Sequence, residues 1–397
     1  MLTSLALIFL IGLSLAAIFG KLKLPRLIGM LLTGILLGPF LLDILDPKIL
    51  GISAELRKIA LVIILIKAGL SLKFSDLKKV GRPALLMSFL PATFEIASFL
   101  IFAPMLLDVT RTEALLMGSV LAAVSPAVVV PRMVALMDEN RGTDKSIPQL
   151  ILAGASLDDI FVIVLFTAFL GINMGDGIVA MTFLNIPISI VLGILLGSLV
   201  GFAVAHLFEL FHRKNFTIRN TLKTVLLLGI AFFLLAVEEW LEGVAAVSGL
   251  LAIISMAMVY AMRTQAGVLD RLKEKYGKLW LAAEVLLFVL VGAAVDIRYT
   301  LSAGFGAVSM IFIGLVFRSI AVFICLLGTN LNKKERLYTI FAYLPKATVQ
   351  AAIGGVPLSM GLPCGNIVLS VAVLGILITA PLGAILMDSA KNSLLHK

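Results

Sequence analysis

The sequence predicts an all-α polytopic membrane protein of about 13 transmembrane helices, each long enough to cross a bilayer. Three observations carry this. Hydrophobic residues make up 61% of the 397, mean hydropathy is +1.13, and only 14% of residues are charged. A soluble chain of this length would need far more polar surface. The formal net charge of +9 does not point to nucleic acid, because the basic residues lie between the apolar runs, where membrane topology accounts for them. Cys325 and Cys364 both lie in apolar stretches and give neither a disulfide framework nor a metal spacing.

Taken in order, the expected spans are 2–20, 27–45, 55–72, 83–107, 112–137, 147–170, 180–209, 221–237, 244–262, 278–295, 302–327, 335–357 and 363–388. Leu2 to Gly20 lacks a basic leader and reads as a first membrane helix, not a cleaved signal. The second span is interrupted by Gly29, Gly34 and Gly38-Pro39, small residues that permit close helix packing. The connecting loops are short, and none is long enough to form a soluble domain.

Charge asymmetry sets the orientation. With the N terminus outside, the cytoplasmic loops and C terminus hold 24 of the 32 lysines and arginines, including Lys21, Lys23 and Arg26, then Lys73, Lys78, Lys79 and Arg82, then Arg213, Lys214, Arg219 and Lys223. The outer loops hold five: Lys48, Arg57, Lys58, Arg111 and Arg298. The expectation is N-out, C-in.

The two halves of the chain echo each other. Ile64 to Leu72, which contains Lys67-Ala68-Gly69, resembles Leu287 to Val295, which contains Val291-Gly292-Ala293. The offset between the two glycines, 223 residues, carries Glu95 onto Arg318. Six spans per half with one between them, 180–209, make the halves inverted repeats. Such repeats, with paired broken helices, are the architecture of secondary transporters.

Chemistry is concentrated near the middle of five spans: Glu95, Ser125-Pro126 with Pro131, Asp158-Asp159, Arg318 and Lys346. Pro126 and Pro131 each remove a backbone hydrogen bond from the fifth span. Pro345, Gly354-Gly355 and Pro357, with Thr348 and Gln350, disrupt the twelfth. Unpaired backbone at that depth is tolerated where it lines a cavity or packs in protein, and freed carbonyls there can coordinate a small cation. The structural alternative is a pair of ordinary proline kinks; two breaks in matching positions favour an ion site.

A carboxylate at the bilayer centre costs about 2.5–3.5 kcal/mol on insertion scales. Asp158 and Asp159 are adjacent, so they point about 100° apart on a helix. Burial and mutual repulsion both work against two charges here, so the pair titrates as one coupled unit. It can hold a proton or a hard monovalent cation, and that competition is a physical basis for exchange. The alternative is a static pair with Arg318 or Lys346. Glu95 and Arg318 are expected to pair structurally across facing helices. Lys346 could carry a proton or neutralise the carbonyl ends of the crossed half-helices, and the second role is favoured.

Weaker features are Lys67 (a snorkelling lysine), the cluster Glu238, Glu239 and Glu242 at an outer loop, Glu284 as a funnel residue, and an interfacial His206. There is no phosphate-binding loop, metal-ligand spacing or nucleophile–base set, so no enzymatic activity and no cofactor are expected.

Three motifs, in this order, resemble the cation:proton antiporter superfamily: Val124-Ser125-Pro126-Ala127-Val128-Val129-Val130-Pro131, Gly154-Ala155-Ser156-Leu157-Asp158-Asp159-Ile160, and Leu344-Pro345-Lys346-Ala347-Thr348-Val349-Gln350-Ala351-Ala352. Within it the chain is most similar to the NHA sodium/proton antiporter branch (solute carrier 9B-like). The resemblance implies an NhaA-like antiporter fold, a homodimer and elevator-like alternating access. It implies an ion-binding core of residues 83–170 and 302–397, a dimerisation scaffold of 1–82 and 221–301, and a linker helix in 171–220. It assigns Na+, Li+ and protons to Asp158 and Asp159, and the unwound crossover to Ser125-Pro126. Many electrogenic relatives carry a lysine where this chain has Arg318, so stoichiometry is open. The break in the fifth span lacks the acidic or amide residue found in other branches, which leaves its dipole compensation to be found. The expected setting is the plasma or inner membrane of a prokaryote, with monovalent cations, protons and lipid as partners.

Within the same class K+ could replace Na+. A sodium-coupled organic-anion symporter would need a roomier polar cavity. An intramembrane aspartyl protease places its aspartates on separate helices, one in a Gly-x-Gly-Asp context that Asn173-Met174-Gly175-Asp176 does not provide.

Overall fold

The computed structural model describes the backbone of residues 1–22, 24–71, 74–174, 180–214, 218–241, 247–296 and 304–396, and the side chains of these apart from 74–80, 138, 156, 160, 180–187 and 190. Lys23, Lys73, Asp176, Glu242 and Arg298, and the side chains of Lys78 and Lys79, lie outside the described set.

Every regular element among the described residues is an α-helix. They are α1 (Leu2–Lys21), α2 (Arg26–Leu37), α3 (Pro47–Gly51), α4 (Ser53–Ser71), α5 (Phe74–Met87), α6 (Leu90–Leu107), α7 (Arg111–Leu121), α8 (Pro126–Asp138), α9 (Ile147–Asn173), α10 (Ala180–Arg213), α11 (Asn220–Leu241), α12 (Gly249–Arg263), α13 (Ala266–Ala293), α14 (Gly304–Cys325), α15 (Lys333–Ala342), α16 (Thr348–Ile353), α17 (Val356–Ser359) and α18 (Gly365–Leu394). Among the described residues, nine helical segments are long and apolar enough to cross a membrane, and Arg26–Leu37 and Gly249–Arg263 are shorter apolar helices. The protein is an all-helical, multi-span integral membrane protein.

Four expected spans are broken up: the fourth, 83–107, divides between α5 and α6, and the fifth, 112–137, between α7 and α8. The second ends at Leu37, not residue 45, because Gly38 is extended before Pro39, as a residue preceding proline prefers. The freed Leu37 carbonyl accepts the N–H groups of Ile44 and Leu45. The twelfth, 335–357, is divided into α15, α16 and α17, with residues 343–347 non-helical.

The chain forms two compact units. The first comprises Met1–Arg57, Phe74–Met174 and Val285–Lys397, and the second Lys58–Lys73 and Gly175–Glu284. In the second, α10 lies along α12, and Gly193, Gly197 and Gly201 present bare backbone to the carbonyls of Ser248, Ala252 and Met256. The two four-residue rows interlock, as when i±4 ridges pack together. The Tyr276 hydroxyl donates to the Thr224 carbonyl at 2.8 Å.

In the first unit α1 packs on α2, α6 on α14, and α9 on α5, α7 and α8, while α18 packs on α15, α16, α7 and α8. The crossing of α2 with the end of α13 is close enough that a Cβ on Gly34 would overlap the Val289 carbonyl. The half-helices that lead into the two breaks start alike. Thr110 and Glu113 form a capping box on α7, and Asn332 and Glu335 form one on α15, each satisfying two orphan backbone donors.

Candidate functional site

The site is built where the two broken helices cross, in the first unit. α7 stops at Leu121, and Ala122–Ser125 are non-helical before Pro126 opens α8. Proline at that point disfavours the helical region for Ser125, which is extended (φ −90, ψ 110). α15 stops at Ala342 for the matching reason, with Pro345 three residues on. Each stop leaves carbonyls and N–H groups without intrahelical partners, and far from water these need partners from elsewhere.

Side chains supply most of them. Lys346 Nζ donates to the Leu121 carbonyl. Arg318 donates to the Ala122 carbonyl, and Gln350 Nε2 to the Ala123 carbonyl at 2.8 Å. The Val124 N–H donates to Asp158 Oδ2 at 2.9 Å. The Ser125 N–H donates to the Pro345 carbonyl at 2.8 Å, tying one break directly to the other. On the second break, Arg318 Nε donates to the Tyr343 carbonyl at 2.7 Å and the Lys346 N–H to Thr379 Oγ1 at 2.9 Å. Two cations thus face the negative ends of α7 and α15, which is the compensation helix dipoles require. The break carries no acidic or amide side chain of its own, and the donors that satisfy its carbonyls reach it across the crossing from Lys346, Gln350 and Arg318.

The charges form a chain. Lys346 Nζ lies 2.7 Å from Glu95, Glu95 lies 3.0 Å from Arg318, and Arg318 lies 2.8 Å from Asp158 Oδ2. All four side chains are buried. Glu95 and Asp158 flank Arg318, so the guanidinium uses its fork on two carboxylates and two carbonyls, a geometry lysine could not reproduce.

Asp159 stands outside this chain. Its Oδ1 is buried and accepts no hydrogen bond, and the same is true of Asp158 Oδ1, Ser125 Oγ, Tyr343 Oη and Gln350 Oε1. Buried polar atoms are almost always partnered, so a group of orphans at one crossing asks for a ligand or water. Ser125 is the N-terminal cap of α8, yet its side chain caps nothing.

The structure therefore brings together Glu95, Ser125, Pro126, Asp158, Asp159, Arg318 and Lys346 from α6, α8, α9, α14 and the two breaks. Three further residues belong to the crossing: Gln350, which the sequence offered only as a polar residue disrupting the twelfth span, and Thr379 and Tyr343, which it did not single out. Gln350 sits in the first turn of α16, and its place in the polar stretch Lys346 to Gln350 was a usable signal. Thr379 has none, being one hydroxyl in the long apolar α18. Tyr343 is the residue at which α15 ends; its ring lies under the Arg318 guanidinium, 5.6 Å from its centroid.

The weaker candidates lie elsewhere. Lys67 stands over the Trp280 ring at 5.7 Å, a cation–π contact. Glu238 and Glu239 fall in the last turn of α11 and not in a loop; Glu239 pairs with Lys58 at 3.0 Å, both exposed. His206 stacks on Phe202. A separate ionic cluster holds the far ends of the same helices. Arg132 makes two hydrogen bonds to Asp388, Lys391 pairs with Glu139, and Lys145 with Glu335 at 2.9 Å. The Lys391 ammonium beside Glu139 holds its carboxyl below the ordinary carboxylate value.

The chain is similar to known proteins along most of its length. The family profile described as "Sodium/hydrogen exchanger, transmembrane" matches residues 5–388. Human sodium/hydrogen exchanger 9B2 is 34% identical over 385 residues, covering 94% of this chain and 70% of that protein. Human sodium/hydrogen exchanger 9B1 is 31% identical over 374 residues, covering 92% and 71%. Among solved structures, the sodium proton antiporter MjNhaP1 from Methanocaldococcus jannaschii at pH 8 superposes with a TM-score of 0.83 over 99% of this chain and 98% of that one, at 21% identity. That likeness speaks to the fold, and the family profile and the exchanger relatives speak to descent: the chain belongs to the sodium/hydrogen exchanger family.

Proposed function

We propose that the protein is a secondary active antiporter that exchanges Na+ or Li+ for H+ across a membrane, with cation and proton competing for the Asp158–Asp159 pair. The observation that supports this most is the set of buried, unpartnered oxygens at the crossing: Asp158 Oδ1, Asp159 Oδ1 and Ser125 Oγ. Three oxygens without hydrogen-bond donors suit a hard monovalent cation, which would travel as substrate. Pro126 opens α8 beside them and keeps the Ser125 backbone out of the helix. The names of the relatives, all sodium/hydrogen exchangers, support exchange over enzymatic chemistry.

The two aspartates take different parts in this reading. Asp158 is held by Arg318 and the Val124 N–H through one oxygen and offers the other. Asp159 has no cation beside Oδ1 and is the group that alternates between proton and cation. Arg318 keeps its proton at physiological pH, so it positions and compensates charge, as do Glu95 and Lys346. Cation binding at the pair expels a proton and proton binding expels the cation, which couples the two flows.

The wider reading follows the family. It has thirteen spans with the N terminus outside, a homodimer, and elevator-like movement of a core (83–170 and 302–397) against a scaffold (1–82 and 221–301), with 171–220 as linker. This is a division by motion; by packing, residues 1–57 join the core segments in one compact unit. The expected setting remains the plasma or inner membrane of a prokaryote.

The test is exchange in everted vesicles holding a pH gradient. Adding Na+ or Li+ collapses the gradient, and neither Asp158→Asn nor Asp159→Asn does so. Full exchange in both variants would remove the aspartate pair from the mechanism. Collapse by K+ with no response to Na+ or Li+ would reassign the ion. Repeating the assay with the membrane potential clamped gives the stoichiometry.

A further inference from the structure

Tyr343 is buried and its hydroxyl has no hydrogen-bond partner, an arrangement that is unfavourable unless something polar visits it. Its position leaves the hydroxyl little choice. The Tyr343 N–H is tied to the Ile340 carbonyl, its carbonyl accepts Arg318 Nε, and its ring lies beneath the same guanidinium. The hydroxyl is driven against α9 at Gly154, where a Cβ would overlap it; the next nearest atom to such a Cβ is Met87 Cβ at 3.0 Å. Gly154 precedes Asp158 by one turn on the same helical face, about 5–6 Å away. Tyr343 Oη, set against Gly154, and Asp158 Oδ1, one turn further along α9, are both buried and unpartnered. Water fills a buried space when several polar groups converge on it. Two carboxylate oxygens and the Ser125 hydroxyl also leave the shell of a monovalent cation incomplete.

Resting on the cation-site reading above, we propose that Tyr343 is a specificity-determining residue of that site. Its hydroxyl oxygen accepts a hydrogen bond from a water carried on the bound cation, and the missing side chain of Gly154 is the space that admits it. The hydroxyl is fixed by Arg318, so it reads the distance at which the cation holds its water. A small cation keeps that water within reach; a larger one pushes it off the hydroxyl. Tyr343 thus favours Li+ and Na+ over K+.

Tyr343→Phe removes the oxygen and keeps the ring under Arg318. In proteoliposomes it raises KM for Na+ and Li+ about fivefold, the effect of one lost hydrogen bond, with kcat within about twofold, and it lowers the Na+ over K+ preference by a similar factor. Gly154→Ala displaces the hydroxyl and raises KM likewise, and the double variant adds nothing to KM beyond Tyr343→Phe. If Tyr343→Phe fails to fold, Gly154→Ala carries the same test. Wild-type KM and ion order in the folded variant overturn the proposal. Asp158→Asn and Asp159→Asn, run beside them, separate the two levels. If these still exchange, the cation-site reading falls and Tyr343 with it. If these are dead and Tyr343→Phe is unchanged, only the role of Tyr343 falls.

Discussion

Glu95 and Arg318 meet at 3.0 Å although 223 residues separate them. That separation is the offset that aligns the two halves of the sequence. The structure places both side chains against the crossing of the two breaks, Arg318 on the Ala122 carbonyl and Glu95 on Lys346.

The pair is not self-contained, and this decides what mutation does. Arg318→Ala leaves Asp158 without its cation and strips donors from the Ala122 and Tyr343 carbonyls. Stability should fall by about 3–5 kcal/mol, the usual result of removing one partner of a buried pair. The double exchange Glu95→Arg with Arg318→Glu should not restore it, because a carboxylate at 318 would face Asp158 and two carbonyls. Thermal unfolding in detergent measures both.

The two aspartates should separate in stability while failing alike in transport. Asp158→Asn weakens the bond to Arg318 and should cost about 1.5–3 kcal/mol, the range for a hydrogen bond to a charged group. Asp159→Asn removes a charge whose Oδ1 has no partner, so its melting temperature should equal or exceed that of the wild type. A lower melting temperature for Asp159→Asn than for Asp158→Asn would reverse the assignment of which carboxylate is held.

Gln350 should matter as much as a charged residue. Gln350→Ala leaves the Ala123 carbonyl unpaired at a buried break, which should cost about 1–3 kcal/mol. Gln350→Glu replaces the donating amide nitrogen with a carboxylate oxygen facing the same carbonyls and should be worse than alanine. Unfolding midpoints of the two variants give the comparison.

Acid should loosen the ionic cluster at the helix ends. The Glu139 carboxyl lies below its ordinary value of 4.5, chiefly through the hydrogen bond from Lys391. A group lowered in the folded state adds stability above its unfolded pKa, and that contribution is lost as pH falls through the folded value. The difference in melting temperature between the wild type and Lys391→Ala should therefore be constant above about pH 5 and shrink below 4.5. A difference that persists unchanged at pH 3 would dissociate Lys391 from Glu139.

Much of this was legible in the sequence. Composition dictated a membrane-spanning helical chain. Pro126 and Pro345 announced the breaks, and Asp158-Asp159 drew attention to the candidate site beside them. What the residues could not announce was who meets whom. Thr379 and Tyr343 are unremarkable in their own segments, and these two, like Gln350, acquire their roles only from contact with another segment of the chain. Helix α2 also stopped short of its expected end, since hydropathy continues through Leu41-Leu42 while Gly38-Pro39 turns the backbone out of the helix.

The bond from the Ser125 N–H to the Pro345 carbonyl has a consequence for synthesis. When the ribosome delivers the first break into the membrane, every partner that will satisfy it from α14, the second break and α16 is still untranslated. At about 5–20 residues per second the wait is roughly 10–45 s. During that interval the newborn half must keep residues 122–125 helical, wet or shielded by the insertion machinery. The mature crossing is thus a late event in biogenesis, and quality control has a window in which an ordinary half-made chain looks like a damaged one.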